Sequence, residues 1–288
     1  PVVMVHGQGQ FSKTWETTSD GREGFATTFL RAGHPVYLID FPRRGGAGIP
    51  TFKGAAGAFL GEQFAPNKTM RFGNEEVFIY FRLGPRMGKF FDGVQFSKDG
   101  LDQFFCQNIA HFADDFGAVT DCLCQLFEKI GDGILLTHSQ SGHMGWRTGM
   151  RSPHVKAIIS YEPGPINGFY FLEKEMPAPM KLFNGSEVSF AAKADEDGYA
   201  QLLNIPICVI YGDFIGKEPI GNWYLDLWRV REIFAREFCS AITRHGGNAK
   251  FISLPEVGIH GNTHFPMSDL NSSEVEQLTF KMLRGYGL

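Results

Sequence analysis

The sequence predicts an α/β fold in which a mostly parallel sheet is flanked by helices. Strand-like and helix-like segments alternate along the chain, which is typical of parallel sheets with crossover helices. The strand-like segments are short, apolar on both faces and rich in Val, Ile or Leu, as strands buried from both sides are. They are Val2–Val5, Val36–Ile39, Ile134–Leu136, Val155–Ser160, Ile207–Tyr211 and Lys250–Leu254.

Helical periodicity is clearest over residues 116–130, where apolar side chains fall on one face and Gly131 follows as a stop. Further helices are predicted over about 223–242 and 273–284. Ser273 and Glu276 have capping-box spacing at the start of the last one.

The length, charge and hydropathy of the chain limit the classes of protein to which it can belong. The 288 residues are 43% apolar and 20% charged, which suits one large domain over 1–288. The net charge is −4 without a dense basic run, so the composition argues against nucleic acid as a partner. No run approaches the roughly 18–20 apolar residues of a membrane span. No His, Cys and carboxylate cluster has metal-ligand spacing, so no metal or other cofactor is expected.

Two long stretches interrupt the alternation, residues 44–104 and 163–204. Structureless loops of that length are uncommon inside a compact domain and usually serve a function. We predict that both are insertions forming a cap over the sheet edge, with a short extended piece at Val77–Phe81. The first insertion carries phenylalanines that either line an apolar or aromatic substrate pocket or pack the insertion itself: Phe72, Phe78, Phe81, Phe90 and Phe91.

The cysteines, the N-x-S/T sequons and the start of the chain give weak evidence about the cellular compartment. The five cysteines are an odd number, so they cannot all pair within one chain, and three N-x-S/T sequons occur, at Asn67, Asn184 and Asn271. The chain starts abruptly in a strand-like run, as if an upstream segment were missing. We expect a secreted or periplasmic protein slightly more than a cytoplasmic one. The oligomeric state is left open between a monomer and a homodimer.

The most informative motif is the string T-H-S-Q-S-G at 137–142, which follows a predicted strand and precedes a predicted helix. It matches the nucleophile elbow G-x-S-x-G, with Thr137 and Ser141 in place of the two glycines. Such a turn exposes the hydroxyl of Ser139 at the carboxyl end of the sheet. The N–H of Gln140 can then face a developing oxyanion.

A second oxyanion donor is predicted in the loop that follows the first strand. The string V-H-G-Q-G-Q at 5–10 runs from this strand into a turn with glycines, and Gln8 is the natural donor. A dinucleotide fingerprint is excluded because G-x-G-x-x-G is not completed. His6 is interpreted as a residue that orients the loop.

The general base is expected after the last strand, because the order in this kind of site is Ser, acid, His. Both His260 and His264 follow that strand. His264 is favoured because it lies just before the closing helix, and His260 is then a loop-shaping residue. His138 and His143 flank the nucleophile and are interpreted as packing or supporting groups.

Two strand ends offer the carboxylate that must hold the base. Glu162 follows the strand after the nucleophile, and Asp213 follows the next strand. Both project at the carboxyl edge, so the geometry permits either. The residues alone slightly favour Asp213, since that is the commoner location.

These motifs, together with S-Y-E-P-G at 160–164 and L-P-x-x-G-I-H-G-N-T-H at 254–264, resemble a bacterial esterase of the Alcaligenes type, an atypical branch of the α/β-hydrolases. The resemblance implies Ser139, His264 and Glu162 as the catalytic triad, with Asp213 second as the acid. It also implies Gln8 and Gln140 as the oxyanion donors. The family has two adjacent cysteines in the oxyanion loop where this chain has Gln8 and Gly9, so its substrate range need not carry over.

The expected activity is hydrolysis of a small carboxylic ester, apolar or aromatic, through an acyl-enzyme on Ser139. The nearest alternative is a lactonase or a carbon–carbon bond hydrolase using the same triad. A non-catalytic ligand-binding protein on the same fold is the alternative from another class.

Overall fold

The central sheet has six parallel strands, which lie side by side in the order Ala249–Ser253, Ile207–Tyr211, Val155–Tyr161, Gly133–His138, Val2–Val5 and Val36–Ile39. The computed structural model describes residues 1–42, 44–47, 70–111, 116–165 and 167–288. The sheet strands are β1 (Val2–Val5), β2 (Val36–Ile39), β3 (Gly133–His138), β4 (Val155–Tyr161), β9 (Ile207–Tyr211) and β10 (Ala249–Ser253). All six predicted strands are therefore confirmed, with end residues shifted by one or two positions in three of them.

Two small ribbons lie outside the central sheet, in the second predicted insertion. One pairs β5 with β8 in parallel and the other pairs β6 with β7 antiparallel. Their strands are β5 (Phe169–Phe171), β6 (Met180–Lys181), β7 (Glu187–Val188) and β8 (Ala191–Lys193).

The α-helices of the described residues are labelled α1–α9 in chain order. They are α1 (Lys13–Glu16), α2 (Phe25–Arg31), α3 (Asn74–Tyr80), α4 (Leu101–Gln107), α5 (Phe116–Ile130), α6 (Gly142–Arg151), α7 (Glu196–Leu202), α8 (Trp223–Arg244) and α9 (Ser272–Gly285). The three helices predicted from periodicity correspond to α5, α8 and α9.

The four inner strands of the sheet, β9, β4, β3 and β1, are almost completely buried on both faces, as their apolar sequences predict, whereas the edge strands β2 and β10 are partly exposed. Along β1, Val3 and Val5 pack into one core cluster, and Val2 and Met4 pack into the other. Successive strand side chains point to opposite faces, so a strand between two helical layers needs an apolar residue at every position. The site described below lies at the carboxyl ends of these strands.

Two local predictions were wrong. The piece at Val77–Phe81 is not extended, because residues 74–80 form α3. Glu76 accepts a hydrogen bond from the N–H of Gly73 at 2.8 Å, which stabilises the first turn of that helix, and Val77 is buried. The capping box at Ser273 is also absent, since α9 begins one residue earlier.

Both predicted insertions contribute residues beside the carboxyl edge of the sheet. The described part of the first is residues 44–47 and 70–104, which include α3 and the loop after it, while residues 48–69 lie outside the described residues. The second supplies the two ribbons and α7. Their designation as a cap remains a prediction.

Candidate active site

Ser139 lies in the sharp turn between β3 and α6 and has φ of 54°, in the left-handed region. Side chains disfavour this conformation, so the surrounding contacts must hold it. The Ser141 hydroxyl lies 2.9 Å from the carbonyl oxygens of both Val5 and His138 and accepts from the N–H of His138. The Thr137 hydroxyl bonds that of Ser160 at 2.7 Å. Hydroxyls therefore stabilise the turn at both positions where the usual motif has glycine.

The close approach that the motif requires is provided by glycines further along α6. A Cβ on Gly142 would lie 2.4 Å from the Cβ of Pro163. A Cβ on Gly145 would lie 3.0 Å from the side chain of Thr137. The helix can therefore pack onto the strands beside it without glycine at 137 or 141.

The loop after β1 lies directly against the nucleophile turn. A Cβ on Gly7 would lie 2.8 Å from that of Ser139, so glycine is required there. Arg44 donates hydrogen bonds to the carbonyl of Gly7 at 3.0 Å and to the side-chain oxygen of Gln140 at 3.2 Å. Gln8 and Gln140 both line the cavity that contains Ser139. The structure thus brings the two predicted oxyanion residues to the same site.

His264 is buried at the same edge of the sheet, with its Nδ1 3.0 Å from a carboxylate oxygen of Glu162. Its ring stacks on Phe81, with 4.9 Å between the ring centroids, and packs against Trp228 at 4.4 Å. Its carbonyl lies 2.8 Å from Nε2 of His138. Its own Nε2 has no hydrogen-bond partner among the described residues and is therefore the nitrogen that can take up a proton.

Glu162 is completely buried and has φ of 51°, a second strained residue at this edge. One carboxylate oxygen accepts from His264, and the other accepts from the N–H of Gly212 and from Nη2 of Arg82, the latter at 2.5 Å. A buried carboxylate needs such partners, since an unpaired buried charge is very unfavourable.

Arg82 is a component of the site that sequence reasoning missed. It is completely buried, its Nε donates to the carbonyl of Asp213 at 2.8 Å, and its guanidinium lies 4.8 Å from the ring centroid of Trp228. It lies in the first insertion, far along the chain from every motif, so no local pattern distinguished it from a surface arginine.

The carboxylate of Asp213 is bonded by backbone groups, whereas the ring of His264 contacts Glu162. It accepts from the N–H of Phe214 at 2.7 Å and from that of Gly261 at 2.9 Å. Nδ1 of His260 lies 3.8 Å from the same carboxylate, and the His260 side chain is 67% exposed. The structure therefore brings Glu162, not Asp213, together with His264, and His260 lies at the surface.

Burial and neighbouring groups lower the pKa values of three buried histidines. Burial first, and then the charges of Arg82 and Arg231, hold the pKa of His264 well below its usual range. Burial and His264 lower the pKa of His138. Burial and the charge of Arg44 lower the pKa of His6 to about 3. His6 lies 2.8 Å from the carbonyl of Gly7 through Nδ1, as expected of a loop-orienting residue.

The loop that carries His264 is held by Asp269. The Asp269 carboxylate accepts from the backbone N–H of Thr263 at 2.7 Å and from its hydroxyl at 2.9 Å. Burial raises the pKa of Asp269 to about 7 despite these bonds. Arg22 donates to the carbonyls of Ser268 and Asp269, so the loop is anchored from both sides.

Ser139 opens into a cavity of about 680 Å³. Residues of both insertions and of α8 form much of its wall, and most of that wall is apolar or aromatic. The apolar and aromatic lining includes Met70, Phe72, Tyr80, Phe81, Phe116, Leu182, Val188, Trp223 and Leu227. Of the five phenylalanines singled out above, Phe72 and Phe81 line the cavity, whereas Phe78 packs against Phe90 and Phe91 stacks on Phe214.

Among the described residues, no group of three or more His, Cys, Asp or Glu side chains is arranged to hold a metal ion. None of the helices described has the length and apolarity that a membrane crossing requires.

Comparisons with known proteins point to one class of enzyme. No protein-family model matches the chain. The chain is 25% identical to a probable secreted lipase, phiG, of a fungal species (strain ATCC 74256), over 99% of this chain and 81% of the lipase. Among solved structures it is similar to a novel bacterial esterase, with 27% identity and a TM-score of 0.76 over 100% of this chain and 81% of that one.

These likenesses extend over 99–100% of this chain. The predicted fold and the resemblance to a bacterial esterase are confirmed. The chain therefore has the α/β-hydrolase fold and is similar to a bacterial esterase and to a fungal lipase.

Proposed function

We propose that the chain hydrolyses carboxylic esters through an acyl-enzyme on Ser139, with His264 as general base and Glu162 as the triad acid. The observation that carries the proposal is the arrangement of His264. Its Nδ1 faces the Glu162 carboxylate at 3.0 Å, and its buried Nε2 is left without a partner in the described structure. A carboxylate at Nδ1 selects the tautomer in which Nε2 accepts a proton.

In this mechanism, Ser139 attacks the ester carbonyl while Nε2 of His264 takes the hydroxyl proton. The imidazolium then gives that proton to the leaving alcohol. Water enters, loses a proton to His264 and cleaves the acyl-enzyme, which releases the acid and restores Ser139. The positive charge on His264 exists only in these intermediates, so the carboxylate of Glu162 stabilises them selectively.

The backbone N–H groups of Gln8 and Gln140 are proposed to bind the oxyanion. Both residues line the cavity with Ser139, and Gln140 is the first residue after it. Removing one such donor costs about 2.7–4 kcal/mol in measured enzymes. The bonds from Arg44 to Gly7 and Gln140 tie the two loops together, which favours a fixed spacing between the donors.

A small apolar or aromatic ester is the proposed substrate class, because the cavity wall is mainly apolar and aromatic. Secretion is proposed as well, since the similar fungal protein is a probable secreted lipase.

Labelling with a fluorophosphonate probe tests the nucleophile. The folded protein should be labelled at Ser139, and Ser139→Ala should abolish labelling without changing the unfolding midpoint. Failure of the folded wild-type protein to react would contradict the enzymatic proposal and favour a ligand-binding protein. A panel of esters, lactones and carbon–carbon bond substrates separates the esterase from its enzymatic alternatives.

A pair of isosteric variants tests the acid. Glu162→Gln should lower kcat by about 10⁴-fold, as loss of the triad carboxylate does elsewhere. Asp213→Asn is the matched control and should lower kcat by less than about tenfold, because Asp213 bonds backbone N–H groups instead. The reverse order of effects would contradict the assignment of Glu162.

A further inference from the structure

The wall of the cavity contains a buried cation that the proposed triad does not use. Arg231 on α8 lines the cavity with Ser139 and is only 4% exposed. No carboxylate of the described residues forms an ion pair with it, although buried arginines are normally paired. Among the described residues of the wall, the other one that carries a full charge is Glu187, which is exposed and therefore screened by water.

The guanidinium of Arg231 is held in one orientation with one nitrogen unused. Its Nε donates to the carbonyl of Gly164 at 2.6 Å, and its Nη2 donates to the Tyr80 hydroxyl at 2.6 Å. Its Nη1 is buried and has no hydrogen-bond partner among the residues that the structure describes. The rings of Trp228, Phe190 and Tyr80 lie 4.6, 4.8 and 5.2 Å from its central carbon, so their faces offset only part of the charge.

The same residue is coupled to the reacting serine through one short segment. Gly164 donates its N–H to the carbonyl of Ser139 at 3.3 Å and accepts from Arg231 through its own carbonyl. A Cβ on Gly164 would lie 2.7 Å from the side chain of Arg231, so glycine allows the close approach. The charge of Arg231 is also felt at His264, where it lowers the pKa.

We infer that Arg231 binds a carboxylate on the substrate, so that the preferred substrates are esters that carry a second, free carboxylate. A guanidinium with an unused buried N–H is a specific partner for a carboxylate oxygen, and a charged hydrogen bond of this kind is roughly twice as strong as a neutral one. The inference rests on the proposed esterase function. It adds that one end of an otherwise apolar cavity selects a negatively charged group of the substrate.

Matched ester pairs test this. The 4-nitrophenyl monoesters of succinate, glutarate and adipate are compared with the same compounds methylated at the free carboxylate. For the best chain length, kcat/KM should favour the free acid by about 10- to 100-fold, the range of one charged hydrogen bond. Arg231→Met should reduce that ratio to about one, and Arg231→Lys should retain part of it.

Arg236→Met is the control, because Arg236 lies on the same helix but pairs with Glu232 and Glu256 outside the cavity, and it should leave the ratio unchanged. If Arg231→Met does not fold, inhibition of the wild-type protein decides: glutarate should inhibit at least about tenfold more strongly than its dimethyl ester. A wild-type enzyme that hydrolyses the neutral esters and is labelled at Ser139 but shows no preference for the free acid would overturn this inference while leaving the esterase proposal intact.

Discussion

The ion pair between Arg82 and Glu162 allows a quantitative prediction. Both side chains are completely buried, and their charged atoms are 2.5 Å apart. Arg82→Met keeps most of the side-chain volume and leaves the Glu162 carboxylate without its cation. Breaking a buried pair from one side costs about 3–5 kcal/mol, because the remaining charge is left unpaired. At roughly 2–4 °C per kcal/mol, the melting temperature should fall by about 6–20 °C.

Arg31→Met is the matched control. Arg31 pairs with Glu23, but its side chain is 64% exposed, so its loss should cost no more than about 1 kcal/mol. Equilibrium urea unfolding of the two variants measures both values. A midpoint for Arg82→Met equal to that of Arg31→Met would refute the reasoning. The double variant Arg82→Met with Glu162→Gln should lose less than the sum of the two single losses, since neither charge is then stranded.

The same variant has a kinetic signature that a purely structural role would not produce. The charge of Arg82 lowers the pKa of His264, after burial as the larger cause. Arg82→Met should therefore shift the acidic limb of the kcat/KM profile to higher pH, because the base then binds a proton more readily. An unshifted limb would show that the charge of Arg82 does not reach the base.

Three further predictions follow from the packing and burial around the nucleophile. Gly7→Ala should lower kcat/KM by about 100-fold, because the new Cβ would lie 2.8 Å from that of Ser139 and displace it; Gly285→Ala, which meets no atom within 4 Å, should not. Gly142→Ala should lower the unfolding midpoint in urea, since its Cβ would lie 2.4 Å from Pro163, and an unchanged midpoint would contradict that contact. Burial lowers the pKa of His143 to about 4. Between about pH 6.5 and pH 4 the unfolded chain therefore binds a proton at this residue that the folded protein does not bind, so the free energy of unfolding decreases as the pH falls through this range. His143→Leu should recover about 3 kcal/mol of that loss, measured as the difference between urea unfolding at pH 7 and pH 4.

Local sequence patterns predicted the sheet and the sharp turn at Ser139. Each predicted strand is a short apolar run, and the predicted bounds of β1, β2 and β9 match the structure to the residue. The turn at Ser139 lies between a strand and a helix and needs small residues in a fixed order, which is also a local signal. The prediction of an extended segment at Val77–Phe81 was wrong because a short apolar run has no period that distinguishes a strand from a helix. The helix α3 is stabilised by the hydrogen bond between Gly73 and Glu76.

The resemblance to a bacterial esterase favoured Glu162 over Asp213, but only the tertiary structure shows which carboxylate contacts His264. Glu162 and Asp213 both follow strands that end at the same edge of the sheet, so their spacing in the sequence is equally suitable. Their contacts with the loop at 260–264 differ. The N–H of Gly261 donates a hydrogen bond to Asp213, whereas the ring of His264 contacts Glu162. Arg82 and Arg231 were also invisible in the sequence. Each is a single arginine with no motif around it in the sequence. Its role depends on burial among residues that are distant in the chain and on whether a carboxylate lies beside it, and only the folded structure shows both.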